Sequence, residues 1–156
     1  IDEFVRLYYG AAAEDVKAYL PLIVQTPRDK GIHRHCFGLA ADYGFDEETG
    51  REALALLERG MARADDPTIR DRVEKLTIGP RTILLEPLAR WVRSRSRDVE
   101  AKRAGAAPPE SYQGREADLR ELFRLYERHG VDRFSENVSA ASLKAALPAS
   151  LFDPAE

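Results

Sequence analysis

Apolar residues recur at three- and four-residue spacing along most of this chain, a period that predicts amphipathic helices. Phe4, Leu7 and Tyr8 share one face of a short first helix, with Tyr8 read as inward. Val16, Tyr19, Leu20, Ile23 and Val24 form a second stripe. Pro21 stands inside it and is expected to kink or divide the helix, which Pro27 and Gly31 then end. Asp46 is placed to cap a third helix, with Glu47 and Glu48 in its first turn and Ala53, Leu56, Leu57, Gly60, Met61 and Ala64 facing inward. Asp66 caps the next, with Pro67 at its first position. Its apolar face runs through Ile69, Val73 and Leu76, then Ile83, Leu84, Leu88, Trp91 and Val92. Gly79-Pro80 and Pro87 interrupt that run and predict a kinked or segmented course. A later helix buries Leu119, Leu122, Phe123 and Tyr126 and ends at Gly130; a short last one starts at Ser139, with Leu143, Ala146 and Leu147 inward.

Two stretches break the pattern. Ile32 to Phe45 mixes aromatics, histidines and glycines without a helical period, and reads as an extended, partly buried connection. Ala104 to Gly114 is rich in Ala, Pro and Gly and reads as a surface loop. No strong alternating strand pattern and no repeat of fixed period is present. The expected fold is all-α: five or six helices packed as an irregular bundle with one long ordered loop, residues 1–156 forming a single helical domain.

Composition narrows the function classes. Of 156 residues, 44% are hydrophobic and 33% charged, which is the balance of a globular chain with a core. The net charge of −3 gives no general attraction to phosphate backbones or anionic lipid, so neither nucleic acid nor membrane is an expected partner. The basic stretch Arg90, Arg93, Arg95, Arg97, Lys102 and Arg103 lacks interleaved aromatics and reads as a solvated helix end. The single cysteine, Cys36, excludes an internal disulfide. The chain opens at Ile1 without an initiator Met, and we expect it to be part of a longer multidomain protein.

Three stretches, taken in order, carry a resemblance. Tyr8-Tyr9-Gly10-Ala11-Ala12-Ala13 is followed by Val16-Lys17-Ala18-Tyr19-Leu20. Asp65-Asp66-Pro67 then leads into Arg72-Val73-Glu74-Lys75. Leu119 to Val131 is followed by Asp132-Arg133-Phe134-Ser135-Glu136. Across most of the chain this resembles the helical region that follows the barrel in a family of glycoside-hydrolase-like proteins. That family has an α-glucuronidase-type N-terminal domain and a TIM barrel, and includes endo-β-N-acetylglucosaminidases. The resemblance implies a C-terminal helical region packed on a catalytic barrel, a carbohydrate substrate for the parent protein, possible homodimerisation, and a secreted or cell-surface parent. It implies that the catalytic carboxylates lie outside these residues.

The candidate chemistry within the chain is sparse. His33-Arg34-His35-Cys36 is the densest group of reactive side chains. A zinc site would need a third ligand such as Cys36 or Asp42, and no second cluster has metal-ligand spacing, so no metal or other cofactor is expected. His33, Arg34 and His35 are instead substrate-contact candidates, offered from a loop to a sugar hydroxyl or carboxylate, with plain interface packing as the alternative. Tyr9, beside Tyr8, is a candidate for stacking on a sugar ring, against a packing role. Glycoside hydrolysis needs a carboxylate pair, one member with a raised pKa. The acids here (Glu52, Glu58, Glu74, Glu86, Glu100, Glu116, Glu121) mostly fall on solvent faces beside Arg or Lys, and no catalytic residue is assigned. Glu86, next to Pro87 in an apolar run, is the least typical. The expected function is structural support of a carbohydrate-active enzyme. The rivals are a stand-alone helical protein-interaction module and a small enzyme built on His33, His35 and Cys36.

Overall fold

The computed structural model describes residues 1–34, 38–97, 112–135 and 138–152. The fold class is all-α. Among the described residues, strands are confined to one small antiparallel hairpin. The chain forms two compact units, residues 1–84 and 85–156.

The first unit holds α1 (Asp2–Tyr9), a 3-10 turn (Gly10–Ala12), α2 (Ala13–Asp29), a 3-10 turn (Ala40–Tyr43), α3 (Glu47–Arg63), α4 (Pro67–Leu76) and α5 (Ile78–Leu84). The caps form where the residue types put them. Asp46 Oδ1 accepts from the Thr49 backbone N–H at 2.9 Å and from its hydroxyl at 2.7 Å. Asp66 Oδ1 accepts from the N–H of Thr68 at 2.6 Å, with Pro67 at the first position of α4. Lys30 Nζ donates to the Gly44 carbonyl and reaches Asp46 Oδ2 at 3.3 Å, which ties the end of α2 to the start of α3 and closes the intervening loop.

The prolines act differently from one another. Pro21 does not divide α2, and Pro27 does not end it: both lie inside the helix, which runs to Asp29 and stops before Gly31, whose φ is 61°. Pro21 is exposed, so it falls on the solvent side of α2, where a carbonyl left without its N–H partner can be hydrated. Downstream the expected segmentation is present. α4 ends at Leu76, where Thr77 donates its hydroxyl to the Glu74 carbonyl at 2.6 Å, and Pro80 and Pro87 fall in the first turns of α5 and α6. A proline in a first turn removes an N–H that has no intrahelical acceptor anyway.

The core of the first unit joins Val5, Ala12, Ala13, Val16 and Tyr19 to Ala53, Leu56 and Leu57 of α3 and Val73 of α4. Each fully buried leucine or valine contributes roughly 1.5–3 kcal/mol. Gly60 sets how near α3 comes. A Cβ there would stand 3.4 Å from Asp15 Cβ and Val73 Cγ1 and 3.5 Å from Ala12 Cβ. Met61, expected inward, is partly buried against the same cluster.

The second unit holds α6 (Glu86–Arg97), α7 (Glu116–His129), β1 (Arg133–Ser135), β2 (Val138–Ser139), α8 (Ala140–Ala145) and a 3-10 turn (Ala149–Leu151). α7 buries Leu119, Leu122, Phe123, Leu125 and Tyr126, and ends at left-handed Gly130. Phe123 meets Tyr126 and Phe152 edge-on, at centroid distances of 6.1 and 5.1 Å. Ser139 caps α8 by accepting from the Ser142 N–H at 3.0 Å. Leu143 and Leu147 are buried as expected, whereas Ala146 is exposed. Trp91, expected in the core, is only partly buried on α6 beside buried Val92.

Candidate functional site

Four of the five large hydrophobic residues exposed among the described residues lie on α1 or next to it. Asp2 and Glu3 stand in its first turn and Arg6 in its last, the arrangement the helix dipole favours. Eight residues make two turns, and two apolar stripes compete to face the core: Val5 with Tyr9, or Phe4 with Leu7 and Tyr8. The first wins. Val5 is buried in the α2–α3–α4 cluster and Tyr9 packs against it. The second stripe is therefore left in water, contrary to the inward reading of Tyr8. Leu7 is 74% exposed, Phe4 60% and Tyr8 38%, and Ile1 extends the face.

The exposed face is ordered by its own contacts. Phe4 and Tyr8 stack with centroids 5.2 Å apart and planes 14° from parallel. Tyr9 meets Tyr8 edge-on at 5.0 Å. Arg72 of α4 lies over the Tyr8 ring, its Cζ 4.0 Å from the centroid, and its Nη1 donates to the Tyr8 carbonyl at 2.8 Å. Burial pushes the Tyr9 hydroxyl above its ordinary pKa; Tyr8 adds to the shift and Arg72 opposes it. Burial likewise raises Tyr19, with Tyr9 contributing. Gly10 then turns the chain with φ 48°, and a Cβ there would fall 2.5 Å from Ile69 Cδ1. The positive φ favours glycine at this corner, and a side chain there would also have to move the end of Ile69.

The other candidates do not gather. His33 and Arg34 are exposed on the segment after α2. His35 and Cys36 lie outside the described residues. Tyr9 sits at the opposite end of α2, a helix of 17 residues, so on the order of 25 Å of helix separates it from His33 and Arg34. Tyr9 is partly buried and packs against the core cluster.

Several of the described carboxylates are paired with cations. Glu86, the least typical acid in the sequence, pairs with Arg90 at 2.5 Å. Glu47 pairs with Arg51 at 2.7 Å, Glu121 with Arg124 at 2.7 Å, and Glu127 with Lys144 at 2.7 Å. One acid was missed by sequence reasoning. Asp15 is 4% exposed, yet it is gripped by Arg63 at 3.0 Å and Arg59 at 3.4 Å. The available signal was the i,i+4 arginine pair on α3 at the height of an acid on the inward side of α2. With both oxygens engaged, this group braces two helices.

Among the described residues no helix is long and apolar enough to cross a membrane. No protein-family model, curated protein or solved structure matches the chain.

Proposed function

We propose that this chain is a helical support domain that docks on a neighbouring domain through the exposed face of α1, the neighbour being the catalytic barrel of a glycoside hydrolase. One observation carries the docking: Ile1, Phe4, Leu7 and Tyr8 form an apolar face on an ordered helix whose opposite side is already committed to the core. A contiguous apolar patch held in fixed shape is the signature of a contact surface. The barrel as occupant rests on the family resemblance of the Tyr8–Leu20, Asp65–Lys75 and Leu119–Glu136 stretches. The pairing of Glu86 with Arg90 and of buried Asp15 with Arg59 and Arg63 favours a supporting role over a catalytic one. The substrate of the parent would be a carbohydrate, cleaved by carboxylates on the barrel.

The reading frame upstream of Ile1 tests this directly. A barrel with two facing acids, whose association with residues 1–156 is lost on Leu7→Asp, is the expected result. A start codon immediately before Ile1 would overturn the barrel and leave the stand-alone interaction module. Glycosidase turnover by residues 1–156 alone would overturn the supporting role.

A further inference from the structure

We propose that Arg72 is a latch that gives the α1 face its shape. The purpose of the latch rests on the docking reading above; its test does not. α1 is short, and Val5 is its one buried side chain. A helix of this length is marginal without tertiary support. The Gly10 N–H serves the Arg6 carbonyl, and the carbonyls after it need donors from beyond the helix. Arg72 answers both needs from 64 residues away in sequence: Nη1 donates to the Tyr8 carbonyl, and the guanidinium covers the Tyr8 ring. Tyr8 in turn stacks on Phe4, so the contact is handed along to the exposed face. Ile69, three residues earlier on α4, presses on the corner at Gly10. The same side of α4 therefore holds both the end of α1 and the turn beyond it.

The chemistry demands arginine. A planar guanidinium can lie on a ring and donate sideways at once, whereas an ammonium is a point donor that prefers water. Arg72 is a positioning residue: it orders the face without belonging to its apolar surface.

Backbone hydrogen exchange on the free 1–156 chain, resolved by segment, reads this out. Arg72→Ala is expected to speed exchange at residues 5–10 roughly ten-fold while α3 and α7 keep their rates, because only local opening is made easier. Arg72→Lys is expected to exchange nearly as fast as Arg72→Ala. Tyr8→Leu keeps the carbonyl bond and loses the ring, and is expected to fall between wild type and Arg72→Ala; it serves as the readout if Arg72→Ala does not fold. Wild-type protection of residues 5–10 in Arg72→Ala, or in Tyr8→Leu, would overturn the latch. So would full protection in Arg72→Lys, which would reduce the contact to simple charge. A barrel missing upstream of Ile1 would leave these results untouched, and loss of the latch would leave the upstream result untouched.

Discussion

Asp15 of α2 accepts from Arg63 of α3 at 3.0 Å, and the two partners stand in very different surroundings: the carboxylate side chain is 5% exposed and the guanidinium side chain 58%. Removing one partner is therefore not equivalent to removing the other. Asp15→Asn releases two arginines to water and leaves a neutral amide in the site, at an expected cost of about 1–2 kcal/mol. Replacing both Arg59 and Arg63 with Ala strands a buried carboxylate, at an expected cost of about 3 kcal/mol or more. Urea titrations of the two variants check the order, and a reversed order would show that Asp15 is hydrated in the folded chain.

Gly10 and Gly60 make opposite predictions for the same substitution. At Gly60 an added methyl finds ordinary contacts at 3.4–3.5 Å, so Gly60→Ala should be neutral or stabilising by up to about 1 kcal/mol through helix propensity. At Gly10 the methyl would meet Ile69 at 2.5 Å with φ at 48°, so Gly10→Ala should cost about 1–3 kcal/mol. Thermal unfolding of both variants measures the difference.

The sidedness of α1 is separately testable. Val5→Ala opens a cavity in the core cluster and should cost about 1–3 kcal/mol. Leu7→Ser alters a side chain that is 74% exposed and should change stability by no more than about 0.5 kcal/mol. Comparable losses in both would mean that the free chain covers its own α1 face.

Asp46 predicts an acid dependence. The Thr49 N–H, followed by the Thr49 hydroxyl and Lys30, holds the Asp46 carboxyl down at about 2, against an ordinary value near 4. The folded pKa is the lower one, so the cap's contribution is whole above about pH 4 and is lost as the pH falls through about 2. The Asp46 side chain is more than half exposed, so the size of the effect is that of an ordinary cap, about 1 kcal/mol. Asp46→Ala should lose this at neutral pH and converge on wild type near pH 2. Asp46→Asn should keep most of the cap and flatten the slope between about pH 4 and 2. Chemical denaturation at three pH values separates these outcomes.

Caps and long faces were legible because their signals are local. Asp46, Asp66 and Ser139 each sit next to the N–H groups they bind, and Leu56, Leu57, Leu119 and Leu122 recur over enough turns to fix a direction. α1 was not legible in the same way. In two turns the Phe4–Leu7–Tyr8 stripe and the Val5–Tyr9 stripe have equal claims, and the choice is made by α2 and α4, which no local period reports. The persistence of α2 past Pro21 and Pro27 was hidden for a related reason: whether an unpartnered carbonyl is tolerated depends on its access to water. The hairpin of β1 and β2 is too short to show an alternating period, and its register slips between Arg133 and Ser135. As for the candidate site, Tyr8 was singled out by the sequence but assigned to the wrong side, while Arg72 and Asp15 act through partners far along the chain.

The placement of Trp91 has an optical consequence. It is the sole indole of the chain and belongs to the unit spanning residues 85–156, while Tyr8, Tyr9, Tyr19 and Tyr43 lie in the other. Emission excited at the red edge of the absorption band reports on the surroundings of Trp91, whereas far-ultraviolet ellipticity averages the helices of both units. A gap between the two midpoints would show that the chain does not unfold in a single step.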